Sequence, residues 1–234
     1  MKNFLLPMVV LVLAAVPMWG DAPPSVMTKA RQDALTPREA LARLKDGNDR
    51  FVAGRPARAN LLEEARITAA GQYPCAAIVS CLDSRTAPEL IFDQGIGDIF
   101  CARVAGNVVN NDILGSLEYA CQVAGAKLIV VVGHGSCSAV KGAVDKVRLG
   151  KLTRLLGQLE PAVAAAERET PGARSSANHA LVERATRDNV IRQMQAIPRK
   201  SKILKAMLES GQIALVGGIH DLRTGRVTFI NGRL

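Results

Sequence analysis

The stretch Leu128-Ile129-Val130-Val131-Val132 contains five consecutive branched apolar residues and no alternation of apolar with polar positions. A strand with one face in water alternates with a period of two. An unbroken Val/Ile/Leu run suits a strand buried on both faces, as in a parallel sheet covered by helices on each side. Ala76-Ala77-Ile78-Val79 form a second, shorter apolar run. Each run ends in chemistry: Cys81-Leu82-Asp83-Ser84-Arg85 follows the first in chain order, and His134-Gly135-Ser136-Cys137 follows the second. In an open α/β sheet, ligands collect outside the carboxyl ends of the strands. The two clusters therefore read as halves of one site.

The remaining chain supplies the alternation that such a sheet needs. Thr36-Pro37-Arg38-Glu39 is a helix start, with Thr36 as N-cap, Pro37 at the first helical position and Glu39 closing a capping box. The helix it opens ends at Gly54-Arg55-Pro56, and a shorter one is expected over residues 61–70. After the first cluster come a short helix over 88–92, a strand over 99–104, and a helix from an Asn111 or Asp112 cap to about Val123. Strand 127–132 follows. Residues 138–149 read as a helix stopped by Gly150, and 152–169 as another interrupted by Pro161. A surface loop at 170–176 precedes helices at 178–197 and 201–209. A strand at 212–217 and an antiparallel return at 227–230 close the chain. There is no internal repeat and no dividing linker. The expectation is a single α/β domain over 36–234, with a mostly parallel sheet, an antiparallel edge strand and flanking helices.

Residues 1–22 read as a secretory signal peptide: a short basic start at Lys2, an apolar run over 4–16 with Pro7 as a break, and a small-x-small cleavage site at Gly20-Asp21-Ala22. Residues 23–35 read as a loose N-terminal arm. The expected address is the periplasm, with no stable membrane insertion once the leader is removed. The 234 residues carry a net charge of +9, but the basic residues are spread along expected helices and aromatics make up only 3%. That pattern does not point to a nucleic-acid partner. Of five cysteines, Cys75, Cys101 and Cys121 lie among apolar neighbours, where the default is a small buried core residue; a bridge among them is left open by the sequence.

Cys81, His134 and Cys137 make a zinc ligand set. Zinc takes thiolate and imidazole in tetrahedral geometry, and catalytic sites keep the fourth position for water or substrate. No fourth structural ligand offers itself: His179 falls on a surface helix, His220 ends a strand, and Cys75 starts the strand that Cys81 follows. Asp83 is close enough in sequence to accept a hydrogen bond from a metal-bound water or to cap the metal. Arg85 can hold it by a bidentate ion pair.

Cys81-x-Asp83-Ser84-Arg85 followed by His134-Gly135-x-Cys137 closely resembles the β-class carbonic anhydrases. Further matches run through Pro88-Glu89, Gly97 to Phe100, Arg103 to Asn107, Glu118-Tyr119 and Asp221 to Val227. The resemblance implies one zinc ion per chain on Cys81, His134 and Cys137, with Asp83 and Arg85 as an orienting dyad. Gln72 would donate a hydrogen bond to bound carbon dioxide or bicarbonate. Phe100, Ala105 and Tyr119 would line an apolar pocket, partly from the other subunit of a homodimer or higher oligomer. Ile78 stands where members with a non-catalytic bicarbonate site carry Trp. The implied activity is reversible hydration of carbon dioxide by attack of zinc-bound hydroxide. Hydrolysis of carbonyl sulfide or carbon disulfide at the same zinc, or a non-catalytic zinc- or anion-binding role, are the alternatives.

Overall fold

The computed structural model describes residues 26–57 and 60–233. The expected signal peptide lies outside these residues. Strands β1 (Ala76–Ser80), β2 (Ile99–Arg103), β3 (Leu128–His134), β4 (Ala214–His220) and β5 (Val227–Arg233) form one sheet in the order β2-β1-β3-β4-β5. The first three pairings are parallel and β4–β5 is antiparallel. From β1 the chain steps outward to β2, then returns to lay β3 on the other side of β1. The order thus reverses between β1 and β3, and the loops leaving their carboxyl ends part to opposite sides of a crevice.

Both faces of the sheet are covered, as the unbroken apolar runs require. On one face Ala77, Val79, Ile129, Val131 and Leu215 pack with Val190, Met194 and Ile197 of helix α9 (His179–Lys200) and Leu204 of α10 (Lys202–Glu209). On the other, Ile78, Leu128, Val130 and Val216 meet Ala40, Leu41 and Leu44 of α2 (Pro37–Val52), together with Phe92. The approach of α2 is close at Gly47, where a Cβ would fall 1.8 Å from the Phe92 carbonyl oxygen. A third apolar cluster lies past the strand ends. Val140 of α6 (Ser138–Val144), Leu156 of α7 (Gly150–Gly157), Val163 of α8 (Glu160–Glu169) and Leu181 of α9 pack there around Cys81 and Cys137.

The capping box at Thr36 is present in full: Thr36 Oγ1 accepts from the Glu39 amide at 3.2 Å and Glu39 Oε2 accepts from the Thr36 amide at 2.8 Å. Elsewhere local reading yields to packing. The arm expected at 23–35 carries a helix, α1 (Lys29–Ala34), in its described part, tied down by buried Gln32, whose Nε2 donates to the carbonyls of Pro74 and Ala124. Helices α3 (Leu61–Thr68) and α4 (Pro88–Ile91) fall where expected. Helix α5 (Asn111–Glu118) is capped one residue earlier than expected, by Asn110, whose Oδ1 accepts from the Ile113 amide. It continues as a π-helical turn over Tyr119–Val123. Gly150 begins α7 rather than ending α6, which stops at Val144. Pro161 stands in the first turn of α8, where its missing amide hydrogen costs nothing, so it starts a helix instead of interrupting one.

Candidate metal centre

Cys81 is the first residue past β1, His134 is the last of β3, and Cys137 is the N-cap of α6. The link between the last two is short because Ser136 adopts a left-handed φ of 53°, which turns the chain back on itself. Cys81, His134 and Cys137 are all buried, and one ligand atom from each lies within 4.8 Å of the other two. The two sulfurs are 3.9 Å apart. Metal–sulfur bonds of about 2.3 Å at a tetrahedral angle place two sulfurs about 3.8 Å from one another, so the spacing is that of a zinc edge. His134 Nδ1 is 2.9 Å from the Gly135 carbonyl oxygen. Protonation at Nδ1 in that contact leaves Nε2 with a free lone pair, and buried Nε2 has no hydrogen-bond partner. The donor set fits zinc.

The electrostatics fit as well. The Cys81 thiol is pushed down, first by the hydrogen bond from Cys137, against a burial cost, and then by His134 and the backbone amides of Asp83 and Gly106. Cys137 is pushed up by its bond to Cys81 and by burial. Gly106 N donates to Cys81 Sγ at 3.3 Å. The thiols outside the cluster are quiet: burial pushes Cys75 up to about 11 and Cys121 to about 12, and raises Cys101 further. No disulfide links the cysteines.

Asp83 and Arg85 form the expected dyad. Arg85 Nε donates to Oδ1 at 2.9 Å and a terminal guanidinium nitrogen to Oδ2 at 2.7 Å, while the Arg85 amide also donates to Oδ1. These bonds hold the Asp83 carboxyl well below its ordinary range. Oδ2 lies 3.8 Å from His134 Nε2, on the metal side of the imidazole. The loop that carries the dyad is fastened by Arg103, at the end of β2. Its Nε donates to the Cys81 carbonyl at 3.0 Å and its guanidinium to the Asp83 carbonyl at 2.6 Å. Buried Thr86 adds a bond to the same Asp83 oxygen. Neither fastening is visible in sequence spacing: Arg103 reaches the loop because β2 pairs with β1 in the register Ser80–Arg103.

A model of the carbonic anhydrase family matches residues 76–227, which include every residue of this cluster. The chain belongs to the β-class carbonic anhydrases. It is 39% identical over 193 residues to carbonic anhydrase 2 of Mycobacterium tuberculosis, covering 81% of this chain and 91% of that one. With the carbonic anhydrase of Pseudomonas aeruginosa the identity is 33% over 184 residues, covering 76% and 81%. The solved β-carbonic anhydrase CcaA superposes with a TM-score of 0.65 at 25% identity, over 82% of this chain and 87% of its own. The fold also matches a tetrameric β-carbonic anhydrase of Sordaria macrospora, with a TM-score of 0.65 at 23% identity, over 80% and 94%.

Not every residue that the family resemblance singles out reaches the cluster within one carbonic anhydrase chain. Ala105 does: it opens the short turn Ala105–Asn107, beside the Gly106 amide that bonds Cys81. Gln72 is exposed on the loop entering β1, at the opposite end of that strand from Cys81. The five residues of β1 separate the two by about 17 Å. Phe100 pairs with Ala77 near the start of β1 and touches Tyr119 edge-on, ring centroids 6.2 Å apart. Both rings line a cavity of about 690 Å³ with Ile113 and Leu117, beside the β2 edge. His220, in register with His134, is buried with no partner on either ring nitrogen; burial and His134 lower its pKa. His179 is exposed at the first position of α9. Neither joins the metal-competent group found among the described residues.

Proposed function

We propose that this chain catalyses the reversible hydration of carbon dioxide to bicarbonate and a proton, with one zinc ion held by Cys81, His134 and Cys137. The observation that carries it is the three-ligand cluster itself, at the crevice between β1 and β3 with an ionised carboxylate alongside. Zinc at such a three-ligand site supplies an activated water as nucleophile near neutral pH. The chain's own residues supply orientation. Asp83 Oδ2, kept acceptor-only by Arg85, takes a hydrogen bond from the attacking water and fixes the direction of its lone pair. Arg103 and Thr86 keep the Asp83 backbone from moving as that charge changes. The apolar packing of Val108, Val140 and Val144 around the two cysteines keeps bulk water from the sulfurs.

The same reading assigns Gln72, Phe100 and Tyr119 to the centre of a second copy in a homodimer. They stand away from their own metal cluster, β2 is a sheet edge with every residue half-buried, and Tyr119 is 50% exposed. The reading also includes export through the leader at residues 1–22, supported by its basic start, apolar run and small-residue cleavage site. No helix of the described residues is long and apolar enough to cross a membrane. Cell fractionation with N-terminal sequencing checks the export reading: recovery of the intact leader in the cytoplasm would refute it.

Stopped-flow hydration of carbon dioxide, with zinc quantified on the same sample, tests the activity. Rapid hydration at about one zinc per chain is expected. Full zinc without hydration at any pH would overturn the assignment and move the substrate to carbonyl sulfide or carbon disulfide.

A further inference from the structure

The turn that donates to Cys81 is held from behind by a buried pair of amides on α9. Asn189 and Gln193 stand one helical turn apart, on the same face, at 1% and 9% exposure among Ala185, Val190, Met194 and Ile197. Asn189 Nδ2 donates to the Gly106 carbonyl at 2.8 Å. Gln193 Nε2 donates to Asn189 Oδ1 at 2.9 Å, and Gln193 Oε1 accepts from the Val109 amide at 2.9 Å. The four groups of the two side chains are thus directed at each other and at one stretch of backbone, residues 106–109. Burying two amides in a mostly apolar helix face costs free energy that only directed bonds recover.

Gly106 sits at φ 70° and ψ 17°. A Cβ there would meet Leu159 Cδ1 at 2.9 Å. Its amide donates to Cys81 Sγ on one side of the Cα, and its carbonyl accepts from Asn189 on the other. With both ends bonded, the residue has no remaining rotation that keeps both contacts. The direction of the N–H toward the sulfur therefore depends on Asn189, and the exit of the turn depends on Gln193 through Val109.

We infer that Asn189 and Gln193 are positioning residues for the metal centre: they lock the turn whose Gly106 amide bonds Cys81 Sγ, and thereby set how strongly that sulfur donates to the metal. This rests on the reading of Cys81 as a zinc ligand. The amide fixes the position of the sulfur and the direction of its lone pairs, so a loosened turn presents a poorly oriented ligand that binds the metal more weakly. Partners that orient ligands in this way shift metal affinity by about 10- to 100-fold when removed.

The test compares N189L and Q193M with N48L. Asn48 is an equally buried amide that bonds the Ile91 and Gly225 carbonyls and the Val227 amide, and it serves as a purely structural comparator. Zinc affinity is measured by chelator competition, and the sulfur-to-metal charge-transfer band is recorded after cobalt(II) substitution. N189L and Q193M are expected to lose zinc affinity about 10- to 100-fold and to move the cobalt band, whereas N48L lowers thermal stability and leaves both readouts at wild-type values. If N189L does not fold, Q193M decides alone. Variants that lose only thermal stability, as N48L does, would overturn the inference. A wild-type chain that takes up neither zinc nor cobalt would instead overturn the reading of the centre, and this inference with it.

Discussion

Substitution of a single carboxylate, Asp83, should separate metal binding from turnover in this centre. Asp83 is not one of the three clustered ligands, yet its Oδ2 is 3.8 Å from the imidazole nitrogen that is. Asp83→Ala should therefore keep zinc at about one per chain while turnover falls about 10- to 100-fold, as for other groups that orient a metal site. Unchanged turnover at full zinc would refute the dyad's role. Cys137→Ala should lose zinc and activity together, measured on one sample. The ion pair has a pH signature as well. Because Arg85 depresses the folded-state pKa of Asp83, its contribution to stability is complete above the ordinary carboxylate range. It is lost as pH falls below about 4 toward the folded value. Thermal melts of metal-free protein between pH 2.5 and 6 should show a shallower acid decline for Asp83→Asn than for wild type; equal slopes would mean that the pair contributes nothing measurable. Both clusters were legible in sequence because each lies within five residues at the end of an apolar run. Arg103, Asn189 and Gln193 were not: they reach the site across 22, 83 and 84 residues of chain.

At the scale of the element, the turn Ala105–Asn107 is where backbone conformation and site meet. Gly106→Ala would force a left-handed φ on a residue with a Cβ and press that Cβ on Leu159. The two effects together should cost about 2–4 kcal/mol of stability. The variant should also withdraw the amide from Cys81 Sγ, so zinc retention against a chelator should fall alongside the melting temperature. A variant of wild-type stability would show that the turn relaxes freely. Sequence located this segment within the family motif but carried no signal of its handedness. The same limit explains the helix boundaries that moved. Gly150 and Pro161 were read as breaks, and each proved to be a start, because a residue that ends one helix is equally suited to open the next. Gln32 anchors a segment with no periodicity to announce it, through carbonyls 42 and 92 residues away.

For the molecule as a whole, the strand ends that the sequence singled out bring the three metal-competent residues together, while three residues of the family pattern stand elsewhere. If Gln72, Phe100 and Tyr119 serve a neighbouring copy, inactive variants should rescue one another. A chain carrying Cys137→Ala mixed with one carrying Phe100→Ala and Tyr119→Ala should recover activity after unfolding and refolding together, since one centre of the mixed dimer is then intact. A mixture no more active than its parts would place the pocket within each chain. Sequence could name those three residues but not locate them, since position along a strand decides which end of the sheet a side chain serves. The 3.9 Å between Cys81 and Cys137 also has a consequence for the life of the chain before it works. A disulfide needs the sulfurs only to close to about 2.05 Å. If the chain is exported to an oxidising compartment, the newborn protein runs a race: whichever arrives first, metal or a disulfide that accepts two electrons by exchange, decides whether the chain becomes an enzyme or a cross-linked dead end.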